Sequence, residues 1–248
     1  MMKLKVLAVT DEVDPRIYST SVRDRMGDVD FVVSCGDLPA TYLEYLTDSL
    51  HKDVYYVLGN HAEELTREGQ RGVPRHPMGC IDLGFRVVRD KRTGIIFAGL
   101  PGSPKYLEHA PVQFTEKQMT WRILRMVPRL IWNRLRYGRF LDILVSHSPP
   151  RDVGDREDPA HRGFAVIRSL IRWTNPTYQL HGHVHLYDRS QGNCSTLHGT
   201  DVINVYPFQK LELQFDGLPH RDIDIEPNVD SIRAELSHEI AEGPSTRV

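Results

Sequence analysis

The stretch Leu180–His185 carries three histidines at alternate positions, with Gly182 between the first two. Neutral imidazole is a good ligand for Zn²⁺, Fe and related ions. We interpret the stretch as a strand or strand end. Alternate residues of a strand share a face, so His183 and His185 would point at the same place. Alternating histidines also occur on polar surfaces, so this motif needs support from the rest of the chain.

Further polar residues stand at the points where predicted strands end. An aspartate, a Gly-Asp pair, a Gly-Asn-His triplet and a lone histidine each follow an apolar, β-prone run. The carboxyl ends of strands are where open α/β sheets place functional groups. One Asp or Asn after a strand is usually a turn or a cap, but repetition at successive strand ends favours a single site. With His61 set aside, the candidate metal ligands are Asp11, Asp37, Asn60, His147, His183 and His185.

The order Asp, Gly-Asp, Gly-Asn-His, His, Gly-His-x-His resembles the calcineurin-like metallophosphoesterase family, from about Asp11 to His185. The resemblance implies that Asp37 bridges two metal ions. It also implies that His61 stays uncoordinated close to the substrate, where it stabilises the phosphoryl oxygens or protonates the leaving group. The remaining ligands are divided by the same resemblance between one site with Asn60, His147 and His183 and another with Asp11 and His185.

The resemblance further implies a hydrolase, a metal-dependent phosphoesterase that attacks a phosphodiester or a small phosphorylated substrate with a metal-bridging hydroxide. Two metals about 3.5–4 Å apart lower the pKa of a bridging water and neutralise the phosphoryl oxygens. Two divalent ions are expected, Mn²⁺ first, with Fe or Zn²⁺ as alternatives for this mixed O/N ligand set. The fold implied is an α/β (α+β) four-layer αββα sandwich, with two mixed β-sheets flanked by helices.

The chain departs from the family pattern in its first motif, which is Asp-x-His in the family and Asp11-Glu12-Val13 here. Valine cannot bind a metal, so one site lacks a protein ligand. Water, Glu12 or Asp14 would fill the position if the loop bends. His181 is another candidate, with a purely structural role as its alternative.

A second departure is Ala62, where an acidic residue commonly follows Gly-Asn-His. That acid would orient His61, and Glu63 is the candidate to replace it. Both departures bear on catalysis more than on fold. They motivate an alternative function, in which the chain is a catalytically weakened scaffold or binding module with this fold.

The elements that must position these residues are predicted from hydrophobic period, β-branched content and turn residues. Strands are predicted over 4–10, 31–35, 54–58, 141–146, 194–198, 201–206 and 208–215, with a hairpin formed by 85–88 and 94–98. Helices are predicted over 16–26, with Pro15 at its start, and over 40–50 and 164–173. Residues 63–75 are predicted to form a loop.

Residues 115–139 are predicted to form a cap-like helical segment that Pro128 interrupts. Its cations are a solvated face in the simplest interpretation. As alternatives, they and the His161-Arg162 pair contact a substrate phosphate, or the segment binds nucleic acid as part of a nuclease. One acid, Glu116, stands against Lys117, Arg122, Arg125, Arg129, Arg134, Arg136 and Arg139.

The bulk composition bounds the remaining choices. The chain has 248 residues and a formal net charge of −2, which gives no general attraction for nucleic acid or membranes. No apolar run approaches the length of about 20 residues that a membrane span needs. Three scattered cysteines and no signal peptide predict a cytoplasmic protein.

We expect one domain over 1–215 and a C-terminal tail over 216–248, which contains a helical candidate at Ser231–Ala241. The sequence does not predict an oligomeric state.

Overall fold

The computed structural model describes residues 1–61, 76–108, 112–186 and 192–216. Its longer strands coincide with runs of apolar and β-branched residues, since such side chains suit a buried pleated surface. The strands are β1 (Met2–Val9), β2 (Phe31–Ser34), β3 (Val54–Tyr56), β4 (Ile81–Asp82), β5 (Val87–Arg89), β6 (Ile96–Leu100), β7 (Ser103–Pro104), β8 (Gln113–Phe114), β9 (Ile143–Ser146), β10 (Tyr178–His181), β11 (Cys194–Leu197), β12 (Thr200–Asn204) and β13 (Phe208–Phe215). The helices are α1 (Val22–Met26), α2 (Ala40–Leu50), α3 (Glu116–Tyr137) and α4 (Ala165–Thr174).

The longer strands form two mixed sheets. The first has the order β13-β1-β2-β3-β4, in which β13 is antiparallel to β1 and the other pairs are parallel. The second has the order β11-β12-β10-β9-β6-β5, with a parallel centre and antiparallel strands at both edges. In each sheet the parallel strands deliver their carboxyl ends to one edge, which positions the residues that follow them.

Helices cover the outer faces of both sheets, and the inner faces pack on each other. Between the sheets, Phe97 stacks on Tyr55 at 4.3 Å and meets the edge of Phe31 at 5.3 Å between ring centroids. α1 and α2 bury apolar side chains on the outer face of the first sheet. α3 and α4 do the same on the second sheet. The predicted four-layer α/β sandwich of two mixed sheets is therefore confirmed.

The predicted first helix is shorter than expected. Residues 16–26 were predicted to be helical, but α1 covers Val22–Met26 alone. The hydroxyls of Ser19 and Ser21 lie 3.3 Å apart, and the guanidinium of Arg25 donates to both at 2.8 Å. Serine side chains that hydrogen-bond locally stabilise turns at the expense of helix. In contrast, α2 and β13 begin and end at their predicted residues.

Pro128 does not interrupt α3, contrary to prediction. The helix runs through it, from a Thr115–Gln118 capping box to a left-handed Gly138 with φ 75°. Pro128 is exposed, so water can satisfy the carbonyl group that its missing N–H leaves without a partner. α3 lies on the outer face of the second sheet, packed through Met119, Ile123 and Leu130.

The predicted loop over 63–75 and most of the predicted tail, including the helical candidate Ser231–Ala241, lie outside the described residues. Within the described ranges, no helix combines the length and the apolar content that crossing a membrane requires.

Candidate metal centre

Strand ends from both sheets meet in one basin, bounded by Asp11, Asp37, Asn60, His147 and His183. These residues come shortly after β1, β2, β3, β9 and β10 respectively. One ligand atom each of Asp11, Asp37 and His147 lies within 4.8 Å of the other two. A single cation can contact all three groups at that separation, because metal–ligand bonds are about 2.0–2.6 Å long. The structure thus brings together residues that are far apart in sequence.

The backbone around the basin is strained where the carboxylates enter it. Asp11, Asp37 and His183 have φ of 59°, 53° and 65°, in the left-handed region. That region costs a residue with a Cβ about 1–2 kcal/mol, and such strain clusters at functional sites. Two glycines provide the space: a Cβ at Gly59 would overlap the Asp37 carboxylate, and one at Gly182 would overlap the Asp11 carboxylate.

His147 is fully buried and presents Nε2 to the basin. Its Nδ1–H donates to the Cys35 carbonyl oxygen at 2.8 Å, which fixes the ring. Nε2 then lies 2.8 Å from Asn60 Oδ1 and 3.2 Å from Asp37 Oδ2. Asn60 is held in turn by its Nδ2–H, which donates to the Tyr106 hydroxyl at 3.1 Å. Metal-binding histidines typically donate their second N–H to a carbonyl or carboxylate in this way.

His183 presents its other nitrogen. Its Nε2–H donates to the Ala160 carbonyl at 2.6 Å, so that Nδ1 carries the free lone pair in the neutral ring. The His183 backbone N–H donates to Asp11 Oδ2 at 2.9 Å, and the Thr10 hydroxyl donates to the same oxygen at 2.7 Å. The second oxygen of Asp11 lies 3.8 Å from His185 Nε2. Asp11 therefore links His183 and His185, two of the three predicted histidine ligands.

His183 and His185 both lie beside Asp11, but the prediction that strand alternation would bring them together is wrong. β10 ends at His181, and His183 adopts a left-handed conformation, so strand alternation does not orient these side chains. A turn does so, closed by the Val184 N–H to the Gly182 carbonyl at 2.8 Å. His181 is 1% exposed, and its Nδ1–H donates to the Gly182 carbonyl at 3.0 Å.

Val13 packs against the apolar cluster beneath α1 and α2. Its neighbour Glu12 lies beside His185 instead. Glu12 Oε2 accepts a hydrogen bond of 2.7 Å from the hydroxyl of Tyr206, whose ring stacks on the His185 ring at 4.5 Å. Asp14 is engaged elsewhere, because both of its oxygens accept from the Arg16 guanidinium.

His61 lies at the mouth of the basin with its side chain exposed. Its backbone N–H donates to Asp37 Oδ1 at 2.7 Å, which ties it to the predicted bridging carboxylate. An exposed, uncoordinated imidazole at this point can exchange a proton with a bound molecule. Ala62 and Glu63 lie outside the described residues.

The electrostatics of the basin suit a cation. Burial lowers the pKa of His147, but the Asp37 and Asp11 carboxylates overcome this effect and raise it to about 9. Burial, together with the charge of His147, lowers the pKa of His183 to about 3. The Asp11 carboxylate raises the pKa of His185. Below pH 9 a proton on His147 Nε2 thus occupies the place where a divalent metal would bind the same lone pair.

Metal binding should therefore release protons. At pH 7.5 the His147 ring is protonated, and a metal must displace about one proton to bind Nε2. We expect the apparent Mn²⁺ affinity to rise about tenfold per pH unit up to roughly pH 9. Calorimetric titration in buffers of different ionisation enthalpy measures the proton count directly. Equal affinities at pH 6.5 and 8.5 would contradict the expectation.

Several residues that contribute to the basin were not found from the sequence, and three of them show why. Tyr106 orients Asn60, Tyr206 stacks on His185, and the Ala160 carbonyl orients His183. Tyrosines in loops carry no spacing signal, and a backbone carbonyl carries no signal of residue type. Tyr206 lies 194 positions from its partner Glu12.

A family model described as calcineurin-like phosphoesterase matches residues 6–187. One solved crystal structure aligns with 87% of this chain and 100% of its own at 17% identity and a TM-score of 0.56. The crystal structure of TT1561 of Thermus thermophilus aligns with 82% of this chain and 89% of its own at 14% identity and a TM-score of 0.52. Likeness at these identities shows the fold alone. No curated protein matches the chain.

Proposed function

Because the chain belongs to the calcineurin-like phosphoesterase family, we propose that it is a metal-dependent hydrolase that cleaves a phosphodiester or a small phosphorylated molecule. The observation that carries the proposal is the basin itself. Ligand atoms of Asp11, Asp37 and His147 converge there within 4.8 Å, and glycines leave room for the carboxylates. The mixture of carboxylate, amide and imidazole donors fits Mn²⁺, Fe or Zn²⁺. Divalent cations would supply the Lewis acidity that activates a water and neutralises the phosphoryl oxygens.

We propose that Asp37, Asn60, His147 and His183 hold one metal, and that Asp11, Asp37 and His185 hold a second. The first set is oriented by fixed partners. Cys35 fixes His147, and Ala160 fixes His183. These contacts fix both rings, so that His147 would offer Nε2 once its proton is displaced and His183 would offer Nδ1.

His61 is proposed as the general acid. It is the exposed imidazole at the mouth of the basin, and its backbone is hydrogen-bonded to Asp37. In that position, its imidazolium would protonate the leaving oxygen of the substrate while the phosphoryl group is held by the basin. The proton transfer would leave a neutral imidazole that water can recharge.

The loop 151–163 brings a histidine and an arginine to the rim. The His161 ring centroid is 5.4 Å from that of His183, and its Nδ1 pairs with Asp158 Oδ1 at 2.9 Å. The Arg156 guanidinium donates to the His185 carbonyl at 2.8 Å. We propose that this rim, and not α3, contacts the substrate's anionic group, because α3 lies on the outer face of the second sheet. A nuclease of the kind predicted would need α3 beside its substrate, so this location favours the small phosphorylated substrate.

Glu12 is the residue that we propose to compensate for Val13. Its carboxylate is exposed, bonded to Tyr206 and close enough to His185 to help raise the pKa of that ring after the larger effect of Asp11. It would contribute an oxygen ligand beside Asp11, in place of the missing imidazole. Tyr206 would orient it, as the hydrogen-bond partners of metal ligands commonly do.

Glu12→Gln should reduce the metal content from two ions to about one per chain, because an amide is a much weaker ligand than a carboxylate. Elemental analysis after gel filtration measures this ratio. Asp24→Asn, which removes an exposed carboxylate on α1 away from the basin, should keep two ions. Two ions in the Glu12→Gln protein would assign the position to water.

The function is tested with purified protein, with and without Mn²⁺, on bis(p-nitrophenyl) phosphate and p-nitrophenyl phosphate. We expect turnover that requires the metal and disappears with a chelator. Absence of turnover with Mn²⁺, Fe²⁺ and Zn²⁺ would favour the scaffold alternative, which the core packing of Val13 supports. A partner that still binds the Asp37→Ala/His183→Ala protein would then be the next evidence for that function.

A further inference from the structure

The solvent-facing side of α3 carries a second apolar stripe, opposite to the side that packs on the sheet. Trp121 is 56% exposed, Leu124 58% and Leu135 82%. Surface helices usually turn polar residues to solvent, so a large exposed apolar stripe indicates an interaction site. Its members recur at intervals of three and four residues, as in a helix-packing seam. The stripe consists of Trp121, Leu124, Pro128, Ile131 and Leu135.

A row of arginines borders the stripe on one edge. At 100° per residue, the row lies about 100° around the helix from the centre of the stripe. Arg125 and Arg129 stack on Trp121 and Trp132, with their guanidinium carbons 3.8 and 4.4 Å from the ring centroids. In the described parts of the chain, the arginines that form ion pairs, such as Arg16, Arg139 and Arg168, lie outside α3. The row consists of Arg122, Arg125, Arg129 and Arg136.

We propose that this stripe and its arginine row, the α3 docking surface, bind the chain's own acidic C-terminal segment, residues 229–242. Residues 217–248 carry seven carboxylate side chains against three arginines. Within them, Val229, Ile232, Leu236 and Ile240 recur at three- and four-residue intervals, which predicts an amphipathic helix. Three of its acidic residues, Glu235, Glu239 and Glu242, lie on one edge of that apolar stripe, and Asp230 lies on the other edge.

The chain leaves β13 on the side of the molecule where α3 ends. Phe215 packs against Tyr178 with ring centroids 5.4 Å apart, and the Tyr178 N–H donates to the Asp142 carbonyl. The Asp142 carboxylate pairs at 2.6 Å with Arg139, which follows α3 directly. Residues 217–228 span up to about 40 Å when extended, and α3 is about 33 Å long. The connecting residues are therefore long enough for the segment to reach the end of α3 that is nearest to Arg139.

Charge distinguishes this occupant from the others. A second copy of α3 would bring two arginine-rich helices together with one acid on each, Glu116, whose carboxylate already accepts the Val166 N–H. An anionic lipid surface suits exposed tryptophan and arginine, but it does not account for a cationic row on one edge of the stripe. An apolar helix with a matching acidic row on one edge does account for it.

The test is hydrogen–deuterium exchange of the full chain, read on peptides that cover residues 229–242. We expect these amides to exchange about tenfold or more slower than unprotected amides. Arg125→Glu/Arg129→Glu should remove the protection. Adding Glu235→Arg/Glu239→Arg to that protein should restore it. Arg134→Glu is the matched control, because Arg134 lies on the other edge of the stripe and its loss should leave the protection unchanged.

Three outcomes would overturn the proposal. Unprotected exchange in the full chain would show that nothing docks in cis. Protection that increases with protein concentration between 1 and 100 μM would assign the surface to a second copy. A blue shift of tryptophan emission and protection of α3 that appear only with phosphatidylglycerol/phosphatidylcholine vesicles would assign it to a lipid surface.

Discussion

Replacing Asp37 by asparagine is expected to lower kcat for aryl phosphodiester hydrolysis by about 10³-fold or more, equivalent to about 4 kcal/mol. Asp37 Oδ2 lies 3.2 Å from His147 Nε2, and Oδ1 accepts the His61 N–H at 2.7 Å. It is the carboxylate that would belong to both of the proposed metal sites. Asparagine keeps the shape of the side chain but loses the charge that balances the cations. Metal affinity should fall together with activity.

The matched control is Asp82→Asn, at the end of β4 in the same sheet. The Asp82 carboxylate accepts the Gly84 N–H at 2.8 Å and takes no part in the basin. Its loss should leave kcat within about twofold of the unmodified protein. An Asp37→Asn protein that keeps a tenth of the activity, or its full metal content, would contradict the proposed bridging role.

His61→Ala is expected to lower kcat by about 10²–10⁴-fold while leaving the metal content unchanged. The loss should depend on the leaving group. A general acid matters most for a basic alkoxide, so phenyl phosphodiesters should lose more than p-nitrophenyl phosphodiesters. Measured across a series of leaving groups, the ratio of unmodified to variant activity should rise with the leaving-group pKa.

His198→Ala provides the control for this series, because His198 is an exposed histidine at the turn between β11 and β12. It should show no dependence on leaving group. A uniform loss across the series in His61→Ala would instead assign His61 to binding of the phosphoryl oxygens. A loss of metal in the same protein would make His61 a ligand.

The parts of the fold that could be predicted from sequence are those set by local pattern. α2 has an uninterrupted helical period, and β13 alternates between exposed and less exposed residues. The prediction of a helix over 16–26 was wrong for its first part, because the side-chain hydrogen bonds of Ser19 and Ser21 compete with helix formation. The predicted interruption at Pro128 was wrong because the effect of a proline depends on whether its side of the helix faces water. Sequence alone does not show which side of a helix is exposed.

The candidate ligands could be predicted because each follows a strand, and parallel strands end at the same edge of a sheet. Their orientation could not. His183 is turned by a left-handed backbone and by the Ala160 carbonyl, not by strand alternation. The Glu12–Tyr206 hydrogen bond joins distant positions of the chain and follows from tertiary packing alone. Residue type therefore supplied the candidate ligands, and packing determined which ring nitrogen of each histidine has a hydrogen-bond partner.

The most direct test of the central claim is a titration of metal-free protein with Mn²⁺, with bound metal and phosphodiesterase activity measured on the same samples. The account predicts that activity rises with bound metal and saturates at two ions per chain. Saturation of binding at one ion, or binding of two ions without turnover, would contradict it. The first result would mean that the position left by Val13 is not filled, and the second that the fold binds metal without catalysing hydrolysis.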